Sequence, residues 1–377
     1  MNANAETCKY LIDRLKSYGE VCQRAASVSL VRDGDNETQA KSFLSKEEWH
    51  ELYAGSQSRE VRDFLFQKAR EVRERYFGRK IYIRGLIEFT NYCKNNCYYC
   101  GIRQDNRAAS RYRLDKSQIL ACCESGYRLG FRTFVLQGGE DGYFTRERMV
   151  DLIGAVKEHF PDCALTLSVG EKSKEDYEAF YRAGADRYLL RHETADALHY
   201  RKLHPEELSL ENRMKCLRTL KEIGYQTGAG FMVGSPGQTE DTLFSDLEFL
   251  AGLRPQMVGI GPFIPHSQTP FAGEKAGTVE QTLFFLAVIR LLLPSVLLPA
   301  TTALGTLDLK GREKGMAAGA NVVMPNLSPI DVRGKYLLYN NKISTGEEAA
   351  ESLELLKKSM SEIGYEVVVD RGDAPDL

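Results

Sequence analysis

Ile81-Tyr82-Ile83-Arg84-Gly85-Leu86-Ile87-Glu88-Phe89 is rich in β-branched and aromatic residues and stays largely apolar along its length, as a strand covered on both faces requires. Seven runs of similar character follow: Thr133–Gln137, Ala164–Val169, Arg187–Arg191, Tyr225–Val233, Met257–Gly261, Val296–Thr301 and Asn321–Pro325. Amphipathic segments of roughly ten to fifteen residues separate them, the pattern of βα units around a parallel sheet. Eight units predict an α/β fold, a closed (β/α)8 barrel of the TIM type. Thr278 with Gln281 and Asp115 with Gln118 show the spacing with which a side chain caps a helix N-terminus. In such a barrel the chemistry collects where strands end, so the residues just after each run are the candidates for function.

Outward from the barrel, residues 1–79 read as an N-terminal helical extension. Ser45 and Glu48 open one segment through Trp49, Leu52 and Tyr53, and Val61–Tyr76 forms another. Ser27–Ser42 is polar and reads as a loop. Residues 80–335 form the barrel, and 336–377 a C-terminal helix and tail closing it, with the acidic end after Asp370 expected to be loose. The 50 Lys and Arg nearly balance 52 Asp and Glu, which argues against a nucleic-acid partner. The apolar stretch Leu283–Ala300 is interrupted by Arg290, Pro294 and Pro299. It reads as a buried helix followed by a strand rather than a membrane span. The charged first residues lack a secretory apolar core, which places the chain in the cytoplasm. Nine cysteines in that reducing compartment point to metal or catalysis where they cluster.

They cluster once, just after the first run. Cys93-Lys94-Asn95-Asn96-Cys97-Tyr98-Tyr99-Cys100 has the spacing C-x3-C-x2-C. Three thiolates on a tight loop suit three irons of a 4Fe-4S cubane and leave the fourth iron open to an outside ligand. A structural zinc site is the alternative, but it wants four protein ligands and the nearest histidines are His50 and His159. A Cys97–Cys100 dithiol pair is another, and it leaves Cys93 unexplained. The glycine-rich run from Gly228 to Thr239 lacks the Lys-Ser/Thr ending of a phosphate loop and reads as the fifth strand and its turn.

The triad, with the aromatic Tyr99 before its last cysteine, resembles the radical S-adenosylmethionine (SAM) superfamily. That resemblance implies that Cys93, Cys97 and Cys100 hold a 4Fe-4S cluster whose open iron chelates SAM, and that reductive cleavage yields a 5′-deoxyadenosyl radical. Carried residue by residue, it implies that Gly138, Gly139 and Glu140 meet the methionyl amine. Glu193 is then the ribose carboxylate, Arg213 the partner of the methionyl carboxylate, and Met257 a neighbour of the nucleoside. Taken singly, Glu140 reads as a turn residue, Arg213 as a surface arginine and Met257 as core.

Arg84–Phe89, Arg187–Ala195, Val258–His266 and Pro299–Ala303 further resemble the HydE family of FeFe-hydrogenase maturases, from about Glu60 to Tyr339. This implies an enzyme helping to build the diiron part of the hydrogenase H-cluster, its radical acting on the sulfur of an iron-bound cysteine that carries CO and cyanide. The implied substrate cavity holds Arg84, Gln137, Thr166, Thr301, Thr302, Tyr336 and Tyr339, whose donors suit small anions. The implied partners are other maturases and an electron donor. The chain departs from some relatives in having no cysteine after Cys216, which predicts no second C-terminal cluster, and in carrying Gly138 where a serine can occur. A methylornithine-synthase-like mutase and a biotin-synthase-like enzyme stay open. The second would need interior cysteines, whereas Cys122, Cys123, Cys163 and Cys216 fall on predicted helices or strand starts. A zinc-dependent binding module is the reading from another class.

Overall fold

The structure, a computed structural model, describes residues 4–29, 43–343 and 349–375. Most of the loop expected over Ser27–Ser42 lies outside the described residues; its first three residues finish a helix. That helix, α1 (Ala5–Ser29), is followed by α2 (Lys46–Gly55) and α3 (Arg59–Phe77). Ser45 accepts from Glu48 N while the Glu48 side chain accepts from Ser45 N, a complete capping box.

The barrel then runs β1 (Lys80–Ile83), β2 (Gly85–Thr90), α4 (Lys116–Arg128), β3 (Thr133–Gly138), α5 (Arg146–His159), β4 (Ala164–Ser168) and α6 (Lys174–Arg182). It continues with β5 (Arg187–Leu189), α7 (Ala197–Leu203), α8 (Leu210–Ile223), β6 (Gln226–Ala229), β7 (Met232–Val233), α9 (Glu240–Leu253), β8 (Met257–Val258) and β9 (Gly261–Pro262). It ends with α10 (Val279–Leu292), α11 (Thr302–Leu307), α12 (Gly311–Ala317), β10 (Val322–Val323), α13 (Ile330–Arg333), α14 (Ala349–Glu362) and β11 (Glu366–Val368).

The parallel order β2-β3-β4-β5-β6-β8 forms most of the ring. Isolated parallel bridges Met257↔Leu297, Pro299↔Val322 and Leu86↔Asn326 complete it. The fold is therefore the α/β barrel expected, with differences of detail, among them that the fifth run divides into β6 and β7 and the sixth into β8 and β9. The first run divides at Arg84 into β1 and β2, which pair with different neighbours. The seventh run, Val296–Thr301, makes only single bridges, and Pro299 within it brings no N–H to a ladder.

Arg290 does not interrupt the apolar run as a surface charge would. It is fully buried and donates to Gly319 O, Pro294 O, Val296 O and Asn321 Oδ1, so it ties the seventh strand position to the eighth. The N-terminal helices lie over α10, which explains why that helix is buried all round.

The described residues after Asp370 are held in place, against the expectation of a loose end. β11 pairs with β1 at the barrel floor, and Arg371 O accepts from Thr133 Oγ1 and Arg187 Nη2. Asp373 pairs with Arg187 Nη2 at 2.6 Å and accepts from Gln226. The acidic composition suggested a solvated end, but Asp373 meets, besides the neighbouring Arg371, the buried Arg187, a residue far off in sequence.

Candidate active site

The three cysteines occupy the loop after β2, and nothing pairs them as disulfides. Two close contacts shape that loop. At Gly139 a Cβ would stand 2.2 Å from Tyr92 O and 2.7 Å from the Cys93 Cβ, so only glycine lets the end of β3 approach this closely. Arg111 donates to four carbonyls, Asn91 O, Ile102 O, Arg103 O and Asn106 O, and fixes the backbone around the triad. Burial pushes the Cys93 thiol up, lifts Cys97 to about 12 with Cys93 adding to the effect, and raises Cys100 further. Such thiols give up their protons to a metal centre rather than to water. Among the described residues, no three or more His, Cys, Asp or Glu side chains converge on the position of a single metal ion. A cubane makes a different demand, one thiolate for each of three irons. Three unpaired cysteines facing one cavity fit that group.

All the residues singled out from the sequence line one cavity of about 360 Å³ inside the barrel. Cys93, Cys97, Tyr99 and Cys100 are at its mouth, with Gly138, Gly139 and Glu140 beside them. Glu193, Arg213 and Met257 line another side, and Arg84, Gln137, Thr166, Thr301, Thr302, Tyr336 and Tyr339 complete the wall.

Their contacts differ from what the sequence alone suggested for several of them. Glu140 is buried, accepts from Glu171 N at 3.0 Å and pairs with Lys94 at 3.3 Å, so it is no solvated turn residue. Arg213 is likewise buried: Nε pairs with Glu171 and Nη1 donates to Arg191 O. Glu193 adopts φ +65°, a left-handed backbone that glutamate rarely takes. Its Oε2 lies 3.0 Å from Arg191 Nη2 without hydrogen-bond alignment, so its charge is balanced while its lone pairs stay available. Met257 accepts from Arg84 Nη1 at 2.8 Å. A side chain at Gly138 would meet Thr90 Cγ2 at 2.7 Å, so a serine at this position would require Thr90 to move.

In the cavity lining, Arg84 Nε and Nη2, Thr166 Oγ1 and Thr301 Oγ1 are buried with no partner. Burial pushes the Arg84 guanidinium well down from its usual range, and nearby Arg187 adds to this. Unpaired buried donors lining a cavity call for a ligand with acceptor atoms.

Several residues around the site were not among its sequence candidates. Burial pushes His204 down to about 3, so it is neutral. Its Nδ1 donates to Tyr200 O and its Nε2 accepts from Tyr99 OH at 3.1 Å, which fixes the aromatic of the cysteine loop. His192, also lowered by burial to about 3, accepts from Gly230 N and faces Asp246 at 3.3 Å. Asp246 in turn accepts from Ala195 N, so the pair brackets Glu193. Glu88 and Lys342 form a buried ion pair in the cavity wall. Glu88 had a signal in the alternation Arg84, Leu86, Glu88; His204 and Lys342 had none, since only the fold brings them near.

The family model for the radical SAM superfamily matches residues 87–250, the segment that carries the cysteines, Glu140, Glu193 and Arg213. The chain is 47% identical over 300 residues to the FeFe-hydrogenase maturase subunit HydE of Thermotoga maritima, covering 80% of this chain and 85% of that one. It is 32% identical over 275 residues to 3-methylornithine synthase of Methanosarcina barkeri, covering 72% and 77%. Among solved structures, methylornithine synthase (PylB) superposes with a TM-score of 0.76 at 27% identity, over 86% of this chain and 94% of that one. The maturase HydG superposes with a TM-score of 0.74 over 96% and 76%; at 17% identity this shows the shared fold alone. No helix among the described residues is long and apolar enough to cross a membrane. The chain is a radical SAM enzyme, and it belongs to the HydE family of FeFe-hydrogenase maturases.

Proposed function

We propose that the enzyme acts in assembly of the hydrogenase diiron subcluster, on an iron-bound cysteine that carries CO and cyanide, with attack at the cysteine sulfur. The observation that carries this reading is the single cavity. The three cysteines and the unpaired donors of Arg84, Thr166 and Thr301 line it together, which suits a small anionic complex held within reach of the radical. When bound, the 4Fe-4S cluster and SAM together supply one-electron reductive cleavage to methionine and a 5′-deoxyadenosyl radical, the electron coming from an external donor.

The chain's own residues do the rest. Cys93, Cys97 and Cys100 would each bind one iron. Glu193 would accept from the two ribose hydroxyls, Arg213 would pair with the methionyl carboxylate, and Gly138–Glu140 would receive the amine. Met257 and Tyr99 would pack about the nucleoside, with Tyr99 oriented by His204. Gln137, Thr302, Tyr336 and Tyr339 would shape the cavity and exclude water around the reacting sulfur. With no cysteine after Cys216, we propose a single cluster, supplied with electrons by a separate donor and working beside other maturases.

A carbon-skeleton mutase is the second reading, favoured by the likeness to methylornithine synthase. A sulfur-inserting enzyme is less favoured, because Cys122, Cys123, Cys163 and Cys216 are buried outside the cavity lining.

The test is anaerobic reconstitution, iron analysis, and a hydrogenase maturation assay with wild type and Cys97→Ala. Four irons per chain, 5′-deoxyadenosine and active hydrogenase are expected of the wild type, and none of the three of the variant. Formation of 3-methylornithine without maturation would replace the first reading by the second.

A further inference from the structure

Arg84, Leu86 and Glu88 alternate along the first barrel strand and all three line the cavity. The inner face of that strand therefore carries two charged positions, four residues and about 13 Å apart. The lower one, Arg84, has unpaired donors. The upper one is a pair: Glu88 is 1% exposed and Lys342, whose side chain is 7% exposed, donates to its Oε1.

Neither partner is free to wander. Asn326 Nδ2 donates to Glu88 Oε2 at 2.9 Å, and Tyr112 OH donates to Glu88 O at 2.6 Å. Lys342 donates also to Tyr336 O at 3.0 Å. It arrives on the segment 335–343, which crosses the barrel mouth. Asn91 Nδ2 donates to Lys335 O, Gly101 N to Leu338 O and Asn340 N to Pro265 O, so the cysteine loop itself holds that segment down.

A buried ion pair is a poor way to gain stability, since desolvation of both charges offsets their attraction and apolar residues of similar volume do as well. This one lies in a cavity wall rather than in the packed core. Two of the ammonium's three N–H groups are engaged, which leaves one donor, and each Glu88 oxygen can accept a further hydrogen bond. An arriving group with both a carboxylate and an amine N–H would fill both capacities.

Resting on the function proposed above, we propose that Glu88 and Lys342 read the amino-acid head group of the substrate. Lys342 donates to the carboxylate, and Glu88 accepts from the amine N–H. The pair is thus a specificity determinant separate from the unpaired donors at Arg84.

The probes are three ferrous CO and cyanide complexes, of L-cysteine, of cysteamine (which lacks the carboxylate) and of 3-mercaptopropionate (which lacks the amine). Their binding to the reconstituted, SAM-loaded enzyme is measured by anaerobic calorimetry. The wild type is expected to prefer the cysteine complex at least tenfold over each of the others. Lys342→Met should lose the preference over cysteamine and Glu88→Gln the preference over 3-mercaptopropionate. Because a single change leaves one buried charge alone, the double variant Glu88→Gln with Lys342→Met serves as the control for folding, and it should lose both preferences with its Tm and iron content retained. Preferences kept in the double variant, or a wild type that binds all three complexes equally, overturn this assignment and leave the substrate reading intact. A wild type that binds none of the three overturns the substrate reading, and this assignment with it.

Discussion

Glu193 shows how far a single residue can be read. Its left-handed backbone costs about 1–2 kcal/mol for a residue with a Cβ. The cost is met by bonds on either side: Glu193 N to Gly230 O, Gly230 N to His192 Nδ1, and Ala195 N to Asp246. The strain aims the carboxylate into the cavity. Glu193→Gln keeps the shape and removes the charge. A hydrogen bond to a charged group contributes about 1.5–3 kcal/mol, so KM for SAM should rise roughly 10- to 100-fold with folding unchanged, read from 5′-deoxyadenosine formation at varied SAM. An unchanged KM would remove Glu193 from the cofactor site. The cysteine triad was legible because its three members lie within eight residues. The conformation of Glu193 was not, because nothing in a glutamate announces a positive φ.

Among the elements, the C-terminal tail departs furthest from its sequence. Burial opposes the charge of Asp373, yet Arg371, Arg187 and the Gln226 amide overcome it and hold the carboxyl well below the usual aspartate range. A lowered carboxyl pKa stabilises the fold above the unfolded value of about 3.9, and that contribution is lost as pH falls toward the folded value. Asp373→Asn leaves Arg187, fully buried, without its counter-charge. It should cost on the order of 2 kcal/mol near pH 7, a buried pair's loss discounted for the 39% exposure of Asp373. Denaturant melts should show the gap from wild type steady between pH 5 and 8 and shrinking below about pH 4. A gap that grows on acidification would contradict the assignment. The capping residues Ser45 and Asp115 were legible because caps are local chemistry. The docking of the tail was not, because its partners Thr133, Arg187 and Gln226 stand on three separate strands.

For the whole molecule, the N-terminal helices are part of the barrel's core and more than a cover. Trp49 is fully buried, packs on Phe244, Phe284 and Phe285, and donates Nε1–H to Glu240 O at 3.0 Å. Trp49→Ala should lower unfolding stability by about 3–5 kcal/mol, seen as a reduced denaturant midpoint with the iron content of the folded protein unchanged. A loss below about 1 kcal/mol would show that the extension folds apart from the barrel. The sequence by itself determined the barrel, its N-terminal helices and the cysteine loop, because apolar periodicity, caps and close ligand spacing are written within a few residues of one another. Only the tertiary structure decided that the acidic tail closes the barrel floor on Arg187 and that Lys342 meets Glu88 inside the cavity. Both depend on groups more than 180 residues apart in the chain whose charge or hydrogen-bonding capacity can be satisfied only once the barrel has brought them together.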